Sequence, residues 1–284
     1  MRIGTLRHEG RPIPVSLEGD RLVELDTPIR DLLAEPDLKA AVEAARTTTT
    51  HPHEPDRLGP AIHNPGKILC VGLNYRDHAA ELGNEVGEHP EIFMRALTSL
   101  AAPFAAIHIP SSSQSLDFEV ELALVIGRRA KYVSEASAMD HVAGYAVFND
   151  CSVRDFQNFG SQWIPGKNFD GTGPLGPFIV TADELGDPTN LDVSLSIVNG
   201  DGQEETMQSS NTSLMLHPID RVIAYCSLWT TLEPGDVIVT GTPSGVGMGR
   251  TPKRWLAAGE TVISRVERVG ELKNQVLAEP PRTA

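Results

Sequence analysis

The chain has 284 residues, of which 40% are hydrophobic, and a formal net charge of −14 at pH 7. This length and composition suit one large domain, or one domain with a smaller companion. The negative charge argues against nucleic acid or an anionic membrane as a partner, but not against a small anionic substrate that meets a local cluster of cations.

No apolar run reaches about 18 residues, and the N-terminus lacks the apolar region of a signal peptide, so we predict neither a membrane span nor secretion. The three cysteines, Cys70, Cys151 and Cys226, are scattered and lack CxxC spacing. They therefore argue against a disulfide framework and a zinc site. Together these features favour the reducing cytoplasm.

Residues 1–60 have the pattern of a small N-terminal domain. Short stretches predict strands at Arg2–Thr5, Pro12–Leu17 and Arg21–Glu24, and a helical stretch broken by Pro36 follows over Ile29–Arg46. The polar, proline-bearing segment Thr47–Pro55 predicts a connector, which places a domain boundary near residue 60.

Residues 61–284 form the predicted larger domain, in which strands outnumber helices. We predict strands at Lys67–Gly72, Phe118–Ile126, Gly144–Phe148, Asp192–Val198, Val237–Thr240 and Thr261–Val266, and helices at Tyr75–Leu82, Ser134–His141 and Pro218–Leu228. The pattern indicates an α+β fold, predominantly β, with mixed or antiparallel strands rather than alternating βαβ units.

The segment Asp117–Gly127 alternates acidic and apolar residues before it becomes continuously hydrophobic. Alternate side chains of a strand share a face, so Glu119 and Glu121 project the same way, about 7 Å apart. Like charges on a partly buried face repel each other, and a hard divalent cation would remove that cost. The alternative is a strand that exposes its acids to solvent. Asp117 would share the face, but it lies at the strand entrance, where a solvated acid is expected.

Another acid, Asp150, follows the apolar strand Gly144–Phe148. A helical turn would place Asp150, Arg154 and Gln157 on one face, at positions i, i+4 and i+7. From the end of its strand, Asp150 can reach a cation that a neighbouring strand holds. The alternative is an acid that caps the helix and pairs with Arg154.

His78 and Glu81 are three residues apart in a predicted helix, so they share a face. A carboxylate beside an imidazole orients the ring and raises its basicity, which suits a histidine that activates water. Lys167 follows a glycine in a predicted loop and could reach a carboxylate or enolate oxygen. The alternatives are a Glu–His pair at the surface and a loop lysine in solvent.

The segment Leu232–Gly247 has the pattern of a turn, a buried strand and a glycine-rich loop. Such a loop would expose backbone N–H groups and the Thr242 hydroxyl to an anion. The loop lacks the GK[ST] ending of a P-loop, and the chain has no GxSxG elbow. Neither a phosphate-binding loop nor a serine hydrolase is therefore indicated.

Five segments together resemble the fumarylacetoacetate hydrolase family, over roughly residues 66–276. In order they are KILCVGLNYRDHAAELG, DFEVELALVIG, HVAGYAVFNDCSVRDFQ, GKNFDGTGPLGPFIVTADEL and LEPGDVIVTGTPSGVG. The resemblance implies a mixed β-roll catalytic domain, often preceded by a small N-terminal domain, and a homodimer.

The resemblance also implies a metal site and a catalytic dyad. In this family the cation, usually Mg²⁺ or Mn²⁺, binds two glutamates of an E-x-E strand and an aspartate that ends a later strand, which match Glu119, Glu121 and Asp150. Ca²⁺ can replace the natural metal in a crystal. The water-activating dyad of the family matches His78 and Glu81.

Other positions that the resemblance marks concern the substrate. The active-site lysine of the family matches Lys167, and four residues occupy positions that contact substrate oxygens in relatives: Tyr75, Arg154, Gln157 and Thr242. The stretch Gly83–Glu91 corresponds to a mobile lid in relatives.

This chain departs from its relatives at Arg95, because relatives often have Lys-Pro where this chain has Arg95-Ala96. An arginine fork matches a planar carboxylate at two points. We therefore predict that Arg95 binds a second carboxylate of the substrate, as in a fumarylpyruvate. The alternative is that Arg95 points to solvent or to the dimer partner.

The resemblance thus implies a Mg²⁺- or Mn²⁺-dependent hydrolase that cleaves a C–C bond of a 2,4-dioxo acid, such as an acylpyruvate or fumarylpyruvate, through an enolate at the metal. His78 would deprotonate water, and Lys167 would stabilise the enolate. The alternative is an oxaloacetate-type decarboxylase or a 2-hydroxymuconate-type isomerase or hydratase that uses the same site. A non-catalytic metal-binding scaffold is disfavoured because the His78–Glu81 pair is present.

Overall fold

The computed structural model describes residues 1–83 and 87–280. Its strands are β1 (Arg2–His8), β2 (Arg11–Glu18), β3 (Arg21–Leu25), β4 (Arg46–Pro52), β5 (Ile68–Val71), β6 (Ile92–Arg95), β7 (Leu100–Ala101), β8 (Ile107–Ile109), β9 (Leu116–Asp117), β10 (Val120–Ile126), β11 (Val142–Asn149), β12 (Ser152–Val153), β13 (Gly173–Thr181), β14 (Asp192–Val198), β15 (Glu204–Asn211), β16 (Val237–Val239), β17 (Thr261–Val266) and β18 (Gly270–Ala278).

The α-helices are short apart from the last. They are α1 (Ile29–Leu33), α2 (Leu38–Ala44), α3 (Arg76–Leu82), α4 (Glu135–Ala138), α5 (Arg154–Gln157), α6 (Ile164–Lys167), α7 (Ala182–Leu185) and α8 (Ile219–Trp229). The predicted helix over Ile29–Arg46 is interrupted around Pro36, as the proline indicates. Of the predicted lid, residues 84–86 lie outside the described residues. Among the helices of the described ranges, none is long and apolar enough to cross a membrane.

Two large sheets dominate the fold. Within the described residues, the central sheet has the order β4-β3-β2-β1-β13-β11-β10-β16-β5-β6, with β7 joined to β13, and the second sheet has the order β15-β14-β17-β18-β8. Most neighbouring strands are antiparallel, but three pairs are parallel within the described residues: β16 with β5, β18 with β8, and β13 with β7. The predicted α+β fold, predominantly β with mixed sheets, is confirmed.

The main hydrophobic core lies between these sheets. Val120 and Leu122 of β10 are fully buried in one cluster with Leu195 of β14 and Val262 of β17. Because side chains alternate along a strand, packing Val120 and Leu122 into this core turns Glu121 to the opposite face of the central sheet. The same alternation that buries the core thus presents acids on the other side.

The first four strands continue the central sheet. β1 pairs with β13, so that Ile3 lies opposite Ile179, and Ile3 shares a buried cluster with Val237 of β16. The predicted connector at Thr47–Pro55 is wrong, because most of it is strand β4, which pairs with β3. Threonine is β-branched and favours extended chain, and an edge strand tolerates proline. The domain boundary near residue 60 stays a prediction.

Candidate active site

Two antiparallel strands bring three buried carboxylates together. Val120 at the start of β10 lies opposite Asn149 at the end of β11, so Glu119 and Asp150, which flank that pair, are neighbours. The Asp150 N–H donates to the Glu119 carbonyl oxygen at 2.8 Å. Carboxylate oxygens of Glu119, Glu121 and Asp150 lie within 4.8 Å of one another, and all three residues are buried.

Two buried cations contact this carboxylate cluster from the cavity side. Arg154 Nη2 donates to Glu119 Oε1 at 2.6 Å, and Lys167 Nζ donates to Glu119 Oε2 at 2.5 Å and to Asp150 Oδ2 at 2.6 Å. Burial alone would raise the pKa of Glu119, but Arg154 and Lys167 lower it to about 2. Burial alone would lower the pKa of Lys167, but Asp150 and Glu119 raise it. Lys167 is therefore an ammonium ion.

Glu121 differs from its two neighbours because its carboxylate contacts no cation within the described ranges. Its Oε2 accepts a hydrogen bond from the Gly241 N–H. Burial, and then the charges of Asp150 and Glu119, raise the pKa of Glu121 well above its usual range. The carboxylate cluster therefore lacks positive charge at Glu121.

A divalent cation fits this donor set. Among the residues that the structure describes, the ionic network around the cluster contains four buried acids (Asp117, Glu119, Glu121 and Asp150) and three buried cations (Arg95, Arg154 and Lys167). With all four acids ionised, one negative charge is unbalanced, and three convergent carboxylate oxygens are the ligands that Mg²⁺ and Mn²⁺ prefer. With such a cation bound, the network would carry net positive charge, which suits an anionic substrate.

The predicted dyad lies on α3, and His78 Nδ1 is 3.1 Å from Glu81 Oε2. His78 lines a cavity of about 110 Å³ together with Glu119 and Lys167. The other residues around this cavity are Val71, Gly72, Leu73, Phe93, Arg154, Gln157, Asn158, Trp163, Thr242 and Met248. A larger groove of about 650 Å³, beside α2, contains none of the predicted site residues. Imidazole, ammonium and carboxylate groups therefore share the smaller cavity.

The predicted substrate contacts differ in their access to this cavity. Arg154 and Gln157 line it, and Arg154 Nη1 donates to Gln157 Oε1 at 2.9 Å. Thr242 also lines it, but its hydroxyl already donates to the Val120 carbonyl oxygen and accepts from Gln208 Nε2 at 2.8 Å. Tyr75 lies outside the cavity wall, and its buried hydroxyl has no hydrogen-bond partner among the described residues. Burial, and then the charge of Glu121, raise the pKa of Tyr75.

The structure places Arg95 away from both the solvent and the cavity. Its guanidinium is buried and contacts Asp150 Oδ1, the Cys151 carbonyl oxygen, Ser99 Oγ and Thr172 Oγ1. It therefore points neither to solvent nor into the cavity. Arg95 holds Asp150 from behind the carboxylate cluster, and most of its five donors are already used.

Two predictions about local geometry are also wrong. Asp150 is not on a helix with Arg154, because strand β12 intervenes and pairs Ser152 with Asp117 of β9, so α5 begins only at Arg154. Asp117 is not a solvated acid. It is buried, and it accepts hydrogen bonds from Arg154 Nε at 2.8 Å and from two backbone N–H groups of the loop after β16.

The loop after β16 does present backbone N–H groups to anions, but these anions are carboxylate side chains of the protein itself. Gly241, Gly245 and Gly247 donate to Glu121, Glu81 and Asp117 respectively. Within the described ranges, seven residues of the cavity wall were not predicted as site residues. Two of them are the aromatic residues Phe93 and Trp163, whose rings meet edge to face at 5.6 Å between centroids. Phe93 stands two residues before Arg95, in the segment that the resemblance marked, whereas Trp163 stands in no motif that was singled out.

Comparison with known proteins agrees with this geometry. Residues 67–277 match the model of the fumarylacetoacetate hydrolase C-terminal domain. The chain is 45% identical over 218 residues to the mitochondrial oxaloacetate tautomerase of Xenopus laevis, which covers 76% of this chain and 67% of that protein.

Solved structures are similar over nearly the whole chain. The fumarylacetoacetate hydrolase of Exiguobacterium antarcticum has a TM-score of 0.82 at 33% identity, and the 5-carboxymethyl-2-hydroxymuconate delta-isomerase of Mycobacterium smegmatis has a TM-score of 0.80 at 35% identity. Each comparison covers 98% of this chain and 100% of the other. The chain belongs to the fumarylacetoacetate hydrolase family, whose members include hydrolases, isomerases and tautomerases.

Proposed function

We propose that this protein is a divalent-metal-dependent hydrolase that cleaves the C–C bond between the acyl group and the pyruvate part of a 2,4-dioxo acid. The observation that carries this proposal is that His78, Lys167 and Glu119 line one cavity beside the carboxylate cluster. A base, a cation and a metal ligand are thus available to a single small substrate.

Glu119, Glu121 and Asp150 would hold the cation, which would act as a Lewis acid on the 2-oxo acid end of the substrate. The remaining chemistry belongs to the side chains of this chain. An ionised Glu81 carboxylate has no proton to donate, so it can only accept a hydrogen bond from His78 Nδ1. The neutral imidazole would therefore carry its proton on Nδ1, which leaves Nε2 free to accept a proton. His78 Nε2 would take a proton from water, and the resulting hydroxide would attack the carbonyl carbon of the acyl group.

The bond between that carbonyl carbon and the adjacent CH₂ would then break, and its electron pair would pass into the enolate of pyruvate. The Lys167 ammonium group has three N–H donors, and two contact Glu119 and Asp150. The third remains for the developing negative charge on the enolate oxygen. Protonation of the enolate carbon gives pyruvate, and the acyl group leaves as a carboxylic acid.

A second candidate is keto–enol tautomerisation of a small 2-oxo diacid, which the 45% identity to an oxaloacetate tautomerase favours. In that reaction His78 would move a proton between carbon and solvent, and no C–C bond would break.

An assay with Mg²⁺ separates the two candidates when acetylpyruvate, oxaloacetate and a 2-hydroxymuconate-type dienoate are tested side by side. We expect release of pyruvate and acetate from acetylpyruvate. Rapid loss of the ultraviolet absorbance of oxaloacetate enol, without cleavage of acetylpyruvate, would instead establish the tautomerase. No reaction with any of the three would refute both candidates.

A further inference from the structure

The loop after β16, residues 241–250, contacts the helix that carries the dyad. The Gly245 N–H donates to Glu81 Oε1 at 2.9 Å, and Ser244 Oγ donates to Asp77 Oδ2 at 2.7 Å. Both acids lie on α3, one residue before His78 and three residues after it. The loop therefore binds α3 at one residue before His78 and at one residue after it.

The two oxygens of Glu81 have separate partners. Oε1 accepts from the backbone of the loop, whereas Oε2 is 3.1 Å from His78 Nδ1. A carboxylate that is anchored at one oxygen has less freedom to rotate away from the imidazole. The Gly245 amide thus holds Glu81 in the rotamer that reaches His78.

Gly249 closes the space behind this carboxylate. A Cβ at position 249 would lie 2.3 Å from Glu81 Cδ and 2.6 Å from Glu81 Oε1. The φ angle of Gly249 lies outside the left-handed region, so the backbone itself would tolerate alanine. Only the steric contact with Glu81 would oppose the substitution. Because the obstructing atoms are the end of a flexible side chain, alanine would displace the Glu81 carboxylate rather than the backbone.

The loop itself is fixed on the side of the second sheet. Gly245 has φ +106°, and a Cβ there would lie 2.1 Å from the Met207 carbonyl oxygen, so the backbone requires glycine. Arg250 donates to the Gly245 carbonyl oxygen at 3.1 Å and to the Met207 carbonyl oxygen at 2.7 Å. The Gly245 amide is therefore held against β15 while it faces Glu81.

The other side of the loop is tied to the carboxylate cluster. Asp117 accepts from the N–H groups of Gly247 at 2.7 Å and Met248 at 2.9 Å, and also from Arg154 Nε. Arg154 in turn donates to Glu119. One loop thus connects the orientation of Glu81 with the position of Glu119.

We infer that Gly245 and Gly249 are positioning residues, whose backbone and lack of side chain hold Glu81 so that it orients His78. The inference rests on the proposed function only in that His78 is the base. It assigns the glycines of this loop to the catalytic dyad rather than to an external anion.

The test combines Gly249→Ala with Glu81→Ala in a double-mutant cycle. Gly249→Ala alone should lower the kcat for acetylpyruvate, or for oxaloacetate if the side-by-side assay selects it, by about tenfold or more, with KM changed less than about twofold. In the Glu81→Ala background the same substitution should cause almost no further loss. Gly200→Ala is the matched control, because a Cβ there meets nothing within 4 Å.

A spectroscopic measurement tests the positioning without turnover. In ¹⁵N NMR of the His78 imidazole, the wild type should show the proton on Nδ1, and Gly249→Ala should shift the population toward the Nε2–H form. If Gly249→Ala folds poorly, adding Glu81→Asp withdraws the carboxylate and should restore the melting temperature. A double variant that stays unfolded would overturn the inference.

Equal losses from Gly249→Ala in the wild-type and Glu81→Ala backgrounds, or an unchanged tautomer population, would also overturn it. A failure of the proposed function would give a different experimental result. If Glu81→Ala keeps full kcat, the dyad is not used in the reaction, and the NMR comparison alone then decides whether the loop orients Glu81.

Discussion

Arg95 and Asp150 form an ion pair in which both side chains are almost completely buried. Asp150 Oδ1 faces Arg95, while Asp150 Oδ2 accepts from Lys167 at 2.6 Å. The two cations approach the carboxylate from different sides and fix its plane. Arg95 therefore acts on the carboxylate cluster through the orientation of Asp150.

Replacing Arg95 by methionine should destabilise the protein by about 3–5 kcal/mol, because Asp150 would keep a buried charge with one partner fewer. Mg²⁺ binding should weaken, because Asp150 loses the partner that holds it from behind the cluster, where Arg95 does not compete with the metal. The ratio of kcat/KM for monocarboxylate and dicarboxylate substrates should stay unchanged. Chemical denaturation and calorimetric titration measure these effects. Arg129→Met is the control, because the pair of Arg129 with Glu233 is exposed and should contribute about 0–1 kcal/mol. A changed substrate ratio at normal stability would show that Arg95 does meet the substrate.

Glu121→Gln should change stability and metal binding in opposite directions. Glutamine at position 121 removes a carboxyl group whose ionisation is opposed by burial and by the charges of Asp150 and Glu119, and its side-chain oxygen can still accept from Gly241. In EDTA, Glu121→Gln should therefore melt a few degrees above the wild type. Addition of Mg²⁺ or Mn²⁺ should raise the melting temperature of the wild type but not that of the variant. An equal metal-dependent rise in both proteins would exclude Glu121 as a ligand.

His78 distinguishes water activation from reactions that need no base. Substitution of His78 by alanine should reduce acetylpyruvate cleavage by at least about 10²-fold, the usual loss when a general base is removed. Simple decarboxylation of oxaloacetate needs no activated water and should be less affected. Steady-state assays with both substrates give the comparison, with the Mg²⁺-dependent melting temperature as the control for folding. Full cleavage by His78→Ala would rule out the dyad.

Local patterns were sufficient for contacts between site residues that are close together in the sequence. The alternation in Phe118–Ile126 predicted that Glu119 and Glu121 share a face. Glu119 lies directly before β10, Glu121 lies on it, and their carboxylate oxygens are within 4.8 Å of each other. The three-residue spacing predicted the contact of His78 with Glu81 on α3. In both cases the backbone period alone determines which side chains meet.

The remaining contacts depend on strand order, which a local pattern does not specify. Arg95 is 55 residues from Asp150, and Asp117 is 130 residues from the Gly247 amide that it binds. An isolated acid at a strand entrance is solvated by default, so nothing near Asp117 in the sequence marked it as buried. Only the antiparallel pairing of β9 with β12 and the return of the loop after β16 bring its partners to it.

Lys167 contacts two of the predicted metal ligands, Glu119 and Asp150. Lys167→Met keeps an unbranched side chain, one atom shorter, and removes its charge. We expect kcat to fall by about 10²–10³-fold, the loss typical of removing one group that stabilises a developing oxyanion, with a smaller change in KM. Mg²⁺ affinity should not weaken, since the carboxylates of Glu119 and Asp150 lose a competing positive charge. Calorimetric titration of Mg²⁺ beside steady-state kinetics measures both effects. A normal kcat with a raised KM would show that Lys167 only binds the ground state, and weaker Mg²⁺ binding would show that it helps to arrange the ligands.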